Sequence, residues 1–157
     1  MDLLTQYDIP YLHPLAVHFP IATLLLAALA ALAYLVRGTA VWRVASMVLL
    51  GLGAAAAFWA RQTGRALRDD VAGEPMVEAI VETHARAADW TLWAALVALA
   101  LGAVVTALVR RLPEPTEVGR REPTWMRLVV LGAAGVAALL VAYASHLGGL
   151  MVWGVPV

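Results

Sequence analysis

Four long apolar segments decide what this chain can fold into. They cover approximately residues 15–36, 41–62, 90–110 and 126–147. A helix needs about 20 apolar residues to cross the hydrocarbon core of a bilayer, and each segment reaches that length. Of the 157 residues, 62% are hydrophobic and only 14% are charged, whereas soluble domains are about 45–50% apolar and about 25% charged. We therefore predict one all-α domain, an integral membrane four-helix up-and-down bundle embedded in the lipid bilayer.

Prolines and glycines predict where these helices begin and end. Pro14 suits the first turn of helix one, and Pro75 suits the first position of helix three. Residues 75–89 place apolar side chains and His84 on one helical face, so we expect helix three to extend beyond the membrane. The pair Gly148-Gly149 predicts the end of helix four.

The residue types that are missing exclude several classes of function. The chain has no cysteine, which excludes disulfides, thiolate catalysis, iron–sulfur clusters and covalently attached c-type haem. Its arginines form no dense basic patch, so we expect no nucleic-acid partner. The first residues carry Asp2 and Asp8 and no basic region, so the first apolar segment is expected to remain a membrane span rather than act as a cleaved signal peptide.

The distribution of arginines predicts how the bundle is oriented. The connections after helices one and three, with the adjoining helix ends, hold Arg37, Arg43, Arg110, Arg111, Arg120, Arg121 and Arg127, and the opposite side holds Arg61, Arg65, Arg68 and Arg86. Cytoplasmic loops carry the excess of positive charge. This distribution therefore places both termini outside, in the periplasm or its equivalent.

Up-and-down threading brings all four histidines, His13, His18, His84 and His146, to one end of the bundle. Ionisable side chains at membrane depth are candidates for function, and His18, His84 and His146 share a similar depth. His13 and His18 are five residues apart and point about 140° apart on a helix, so we expect that they do not share one ligand. For His13 alone, the favoured interpretation is a structural one, such as a helix cap.

Neutral imidazole is a common ligand of haem iron, zinc and copper. His18 and His84 are the preferred axial pair of a b-type haem, because helices one and three lie on a diagonal of an up-and-down bundle. Arg61 and Arg65, one turn apart on helix two, suit the haem propionates. The sequence thus predicts a membrane b-type cytochrome, an electron-transfer protein or subunit rather than a stand-alone enzyme.

Three further interpretations stay open. A second haem b would use His13 and His146, and His146 is also an alternative partner for His18. A zinc or copper ion held by His18, His84 and His146 would have an open fourth position. Alternatively, the chain is a structural subunit of a larger membrane complex.

The opening His13–Pro20 reads His-Pro-Leu-Ala-Val-His-Phe-Pro, and it is followed by His84 and by His146-Leu147-Gly148-Gly149. Together these residues resemble a bacterial four-helix membrane family catalogued as a domain of unknown function, over nearly the whole chain. Some members are fused to Rieske-type or c-type cytochrome domains. The resemblance implies an inner-membrane protein that works in redox chemistry at the outer face, with a membrane redox complex or a periplasmic electron carrier as partner.

The tail departs from the pattern of that family. Members often carry a histidine in a Leu-Val-Tyr-x-His-Gly pattern, whereas residues 150–154 here read Leu-Met-Val-Trp-Gly. The resemblance therefore implies fewer ligands here than a fully loaded multi-haem site needs.

Overall fold

The computed structural model describes residues 12–70, 75–112 and 122–153. Its helices are α1 (His13–Ala16), α2 (His18–Arg37), α3 (Ala40–Asp70), α4 (Pro75–Val109) and α5 (Thr124–Trp153). These ranges contain no β-strand, and the predicted all-α fold class is confirmed. Residues 1–11, 71–74, 113–121 and 154–157, which include Asp2, Asp8, Arg120 and Arg121, lie outside the described residues.

Helices α1 and α2 form one helical path with a local irregularity at Val17. Pro14 occupies the first turn of α1, as predicted. Val17 keeps right-handed helical backbone angles, with φ −66° and ψ −23°. Pro20 has no N–H to donate to the carbonyl of Ala16, which explains a local loss of regular hydrogen bonding. The first span therefore begins at His13, the start of α1, and not at His18, the start of α2.

The four spans form a ring. Helix α2 packs on α3, α3 on α4, α4 on α5, and α5 back on α2, whereas α2 and α4 lie on one diagonal and α3 and α5 on the other. This is the predicted up-and-down bundle. The candidate membrane spans are His13–Arg37, Ala40–Arg68, Glu78–Val109 and Thr124–Met151.

Small residues form the interior of the bundle. Buried positions of α4 recur at intervals of three and four residues, at Ala87, Thr91, Ala95, Ala98, Gly102 and Val105, and Leu92 lies beside Thr91 on the same face. Large side chains such as Leu29 and Leu139, which are 61% and 73% exposed, point outward. In lipid the tight approach of small residues replaces the hydrophobic drive that operates in water, so this arrangement suits a bundle surrounded by a bilayer.

The predicted start of α4 agrees with the structure, whereas the predicted end of α5 does not. Helix α4 begins at Pro75, as predicted, nine residues before His84. The prediction that helix α5 ends at Gly148-Gly149 is wrong. The helix continues to Trp153. Glycine costs a helix only about 1 kcal/mol relative to alanine, whereas an unpaired backbone group in apolar surroundings costs more. Continuing the helix is therefore the cheaper solution.

Candidate histidine site

Two histidines from diagonal helices meet inside one end of the bundle. The ring centroids of His13 and His84 lie 6.2 Å apart, and the ring planes are nearly perpendicular at 85°. His13 begins α1, and His84 lies on α4. Both side chains are half-buried. The first and third spans thus each provide one histidine to this pair, and the histidine from the first span is His13.

Helix α3 fixes the orientation of the His13 ring. Its Nδ1 lies 3.0 Å from the carbonyl oxygen of Ala60 and 3.1 Å from Oγ1 of Thr63. A carbonyl oxygen can only accept, so Nδ1 carries the proton and donates it, and the neutral ring keeps its lone pair on Nε2. A methyl group on Gly64 would lie 2.8 Å from Cε1 of His13. Glycine is therefore the residue that lets the ring rest against α3.

Helix α5 provides the equivalent seat for His84. Nδ1 of His84 donates to the carbonyl oxygen of Ala144 at 2.9 Å, which again leaves Nε2 unprotonated in the neutral ring. A methyl group on Gly148 would lie 3.4 Å from Cε1 of His84. Each ring therefore uses Nδ1 for a backbone carbonyl, and the lone pair of the neutral ring is on Nε2.

The other two histidines lie on the outside of the bundle. His18 is exposed, and its Nδ1 donates to the carbonyl oxygen of Pro14 at 2.6 Å. His146 is exposed on α5. The predicted ligation of a haem by His18 and His84 stays a prediction, but the ring that lies beside His84 in the structure is that of His13. The reason is rotational: His18 has a suitable depth but occupies the outer face of its helix.

A site with three protein ligands is not assembled in the described ranges. No group of three or more histidine, aspartate or glutamate side chains there is close enough to hold a metal ion. The set His18, His84 and His146 thus does not converge. The arrangement offers two imidazoles to a ligand, not three.

The two arginines predicted to serve propionates differ in their surroundings. Arg61 forms a bidentate ion pair with Asp89 on α4. Its Nε contacts Oδ1, and its Nη2 lies 3.2 Å from Oδ2. Arg65, one turn further along α3, is exposed. Arg61 is therefore engaged in holding α3 to α4, and Arg65 is the more accessible cation near the site.

A family model described as "Predicted membrane protein (DUF2231)" matches residues 10–157, which include all four spans and both histidines of the pair. The chain belongs to this family. The match confirms the expected membership of a membrane family of unknown function. Neither a curated protein nor a solved structure matches the DUF2231 chain.

The opposite end of the DUF2231 bundle holds a buried polar cluster that the sequence reasoning missed. Nε of Arg43 lies 3.0 Å from Oε2 of Glu122, and both side chains are nearly inaccessible, at 6% and 12% exposure. The Tyr34 hydroxyl donates to the same carboxylate, and Nη1 of Arg43 donates to Thr106. Backbone N–H of Glu122 also bonds to the carbonyl oxygen of Gly38 at 3.1 Å. This cluster joins α2, α3 and α4 to the residues that precede α5.

The histidine pair and this cluster are separated by roughly the thickness of a bilayer core. His84 and Thr106 are 22 positions apart on α4, which corresponds to about 33 Å along a helix. A hydrocarbon core is about 30 Å thick. Each polar group therefore lies at the level where one membrane face begins.

Proposed function

We propose that this DUF2231 protein is a membrane-embedded electron-transfer subunit that binds one haem b between His13 and His84. The observation that carries the proposal is the meeting of two imidazoles from diagonal helices, each with Nδ1 bound to a backbone carbonyl. Histidines that bind metals almost always donate their other ring N–H in this way, because the bond fixes the ring and raises the basicity of the ligand nitrogen.

The spacing of the rings supports two-sided ligation. A ligating imidazole nitrogen lies about 2 Å from its metal, and the ring centre lies about 1 Å further, so two rings across one metal have centres about 6 Å apart. The observed separation is 6.2 Å. The contacts of the two rings with the neighbouring helices include small residues, namely Ala60 and Gly64 on α3 and Ala144 and Gly148 on α5. Small side chains on the neighbouring helices suit the flat porphyrin ring of a haem.

The chemistry follows from the ligand set. His13 and His84 would hold the haem, which would supply a one-electron iron couple, and ligation by two imidazoles favours electron transfer over oxygen chemistry. His13 and His84 hold and orient the iron, and the packed helices limit the access of water. Arg65 is our candidate partner for a propionate, since arginine pairs well with carboxylates.

The location of the pair indicates where electrons would be exchanged. It lies near one face of the membrane, and α3 and α4 continue past it to Asp70 and from Pro75. We propose that this face is the outer face of a bacterial inner membrane, as the arginine distribution favours. The partner would then be a membrane redox complex or a periplasmic electron carrier.

Four matched histidine variants test the proposal. The protein is expressed in haem-replete cells and purified in detergent, and its oxidised and dithionite-reduced visible spectra are recorded. We expect six-coordinate b-type bands and one haem per chain in the wild type. The bands should be lost in His13→Ala and His84→Ala and retained in His18→Ala and His146→Ala, which remove exposed histidines at the same end. A wild-type protein without haem, or loss only in the second pair of variants, would overturn the proposal.

The same two nitrogens would also suit a bare copper or zinc ion, since imidazole binds both. The described residues bring fewer than three such ligands together. Zinc sites use three or four protein ligands, so a zinc site is a weaker candidate than a haem site. Elemental analysis of the purified protein separates the two cases. Stoichiometric copper or zinc without haem would replace the cytochrome with a metal site.

A further inference from the structure

Thr63 is a buried polar residue beside the histidine pair, in contact with His13. Its side chain is only 1% exposed. Its hydroxyl lies 2.9 Å from the carbonyl oxygen of Ala60 and 3.1 Å from Nδ1 of His13. Nδ1 itself lies 3.0 Å from that carbonyl. The three groups therefore form a closed triangle on the inner face of α3.

The donors and acceptors of this triangle can be assigned. The carbonyl of Ala60 only accepts, so the Thr63 hydroxyl donates its hydrogen there. The lone pairs of that hydroxyl remain free to accept, and Nδ1–H of His13 is shared between the carbonyl and the hydroxyl. Within the described part of the chain, His84 has no second acceptor, and its Nδ1 donates to the carbonyl of Ala144 alone. The two imidazoles are therefore supported unequally.

We infer that Thr63 is a positioning residue that orients His13 and raises the basicity of its Nε2, and so sets the affinity and midpoint potential of the bound haem. This inference rests on the proposed function. A second acceptor draws the Nδ1 proton away from the ring, so Nε2 becomes a stronger donor to iron. A stronger donor stabilises oxidised iron more than reduced iron. Loss of the hydroxyl should therefore raise the midpoint potential.

The test compares Thr63→Val, which removes the hydroxyl at nearly constant shape, with Thr63→Ser, which retains it. Thr83→Val is the matched control, because the Thr83 hydroxyl bonds only to the carbonyl of Ala79 in its own helix, at 2.9 Å. The full-length protein is loaded with haem in detergent. Its midpoint potential, its haem dissociation rate and its unfolding temperature are then measured.

We expect Thr63→Val to raise the potential and to weaken haem binding by about 10-fold or more, the usual effect of losing a partner of a metal ligand. Thr63→Ser should restore both values, and Thr83→Val should change neither. A Thr63→Val protein with the wild-type potential, or with only a lower unfolding temperature, would overturn the inference while the haem proposal stands. A wild-type protein that takes up no haem would instead show that the proposed function has failed.

Discussion

His13 and Ala16 lie on the same face of the first span, and that spacing decides which histidine enters the bundle. The buried positions of the span continue from Ala16 through Pro20, Leu24 and Ala27 in steps of three and four. One step of three back from Ala16 is His13. Side chains three and four apart share a helical face, so His13 extends the inner stripe, and His18, two positions from Ala16, does not.

The contact between His13 and Gly64 predicts how the His13 ring responds when a methyl group is added at Gly64. Gly64→Ala would place a methyl 2.8 Å from Cε1 of His13, so the ring has to move. We expect about 10-fold weaker haem binding, measured by haem titration, because the ligand loses its position against its carbonyl partner.

Gly149→Ala is the matched control for Gly64→Ala. A methyl group on Gly149 would meet none of the described residues within 4 Å, and alanine is favoured over glycine in a helix by about 1 kcal/mol. Haem binding should equal that of the wild type, and stability should be equal or slightly higher. Equal haem binding in both variants would show that the ring does not rest on Gly64.

The residues of the site were only partly predictable from the sequence. Up-and-down threading placed the histidines at one end, and the diagonal geometry indicated helices one and three as the source of the pair. Depth alone then favoured His18 over His13. The missing rotational information lies in the spacing of three and four residues that runs from Ala16 through Pro20, Leu24 and Ala27. Thr63 gave no signal, since one threonine in an apolar helix is an ordinary residue.

At the scale of helices, α2 and α3 approach each other through small and hydroxyl-bearing residues. The buried Ser46 hydroxyl donates to the carbonyl oxygen of Ala27 at 3.0 Å. A methyl group on Gly53 would lie 2.8 Å from Cγ of the fully buried Leu24. The contact between these two helices therefore depends on a glycine at this position.

We predict that Gly53→Ala destabilises the bundle by about 1–3 kcal/mol, the usual cost of an additional methyl group in a packed core. Gly132→Ala is the control, because a methyl there would have no neighbour within 4 Å in the ranges that the structure describes. Unfolding of both variants in mixed detergent micelles measures the difference. A Gly53→Ala protein as stable as Gly132→Ala would contradict the close approach of α2 and α3.

The helices themselves were largely predictable, and their C-terminal ends were less so. Apolar length identifies a membrane span, and Pro14 and Pro75 correctly predicted helix starts. The sequence predicts a helix end at Gly148-Gly149 because glycine often follows the last turn of a helix. In apolar surroundings the backbone keeps its hydrogen bonds inside the helix, so α5 continues through both glycines.

At the scale of the whole molecule, the bundle has an interior of small residues closed by one polar group at each end. Removal of one member of a buried ion pair leaves an unpaired charge, which typically costs about 3–5 kcal/mol. We therefore expect Glu122→Ala to lower the free energy of unfolding by an amount in that range. The haem spectrum should not change, because the cluster lies about 30 Å from the histidines.

Glu82→Ala is the appropriate control for Glu122→Ala. Glu82 lies 3.9 Å from Arg86, and both side chains are more than half exposed, so its removal should cost less than about 1 kcal/mol. Similar losses in the two variants would show that Arg43 and Glu122 are not a buried pair. Sequence reasoning missed this pair because Glu122 lies in a polar connection, and no periodic pattern links such a residue to a helix.

Electron paramagnetic resonance of the oxidised, haem-loaded protein tests the central claim most directly. Two imidazoles with perpendicular planes on one iron give a strongly anisotropic low-spin signal, and the rings of His13 and His84 are 85° apart. We predict this one low-spin species in the wild type and its conversion to a high-spin signal, or its loss, in His13→Ala. A wild-type high-spin signal, or a low-spin signal unchanged in His13→Ala, would contradict the account.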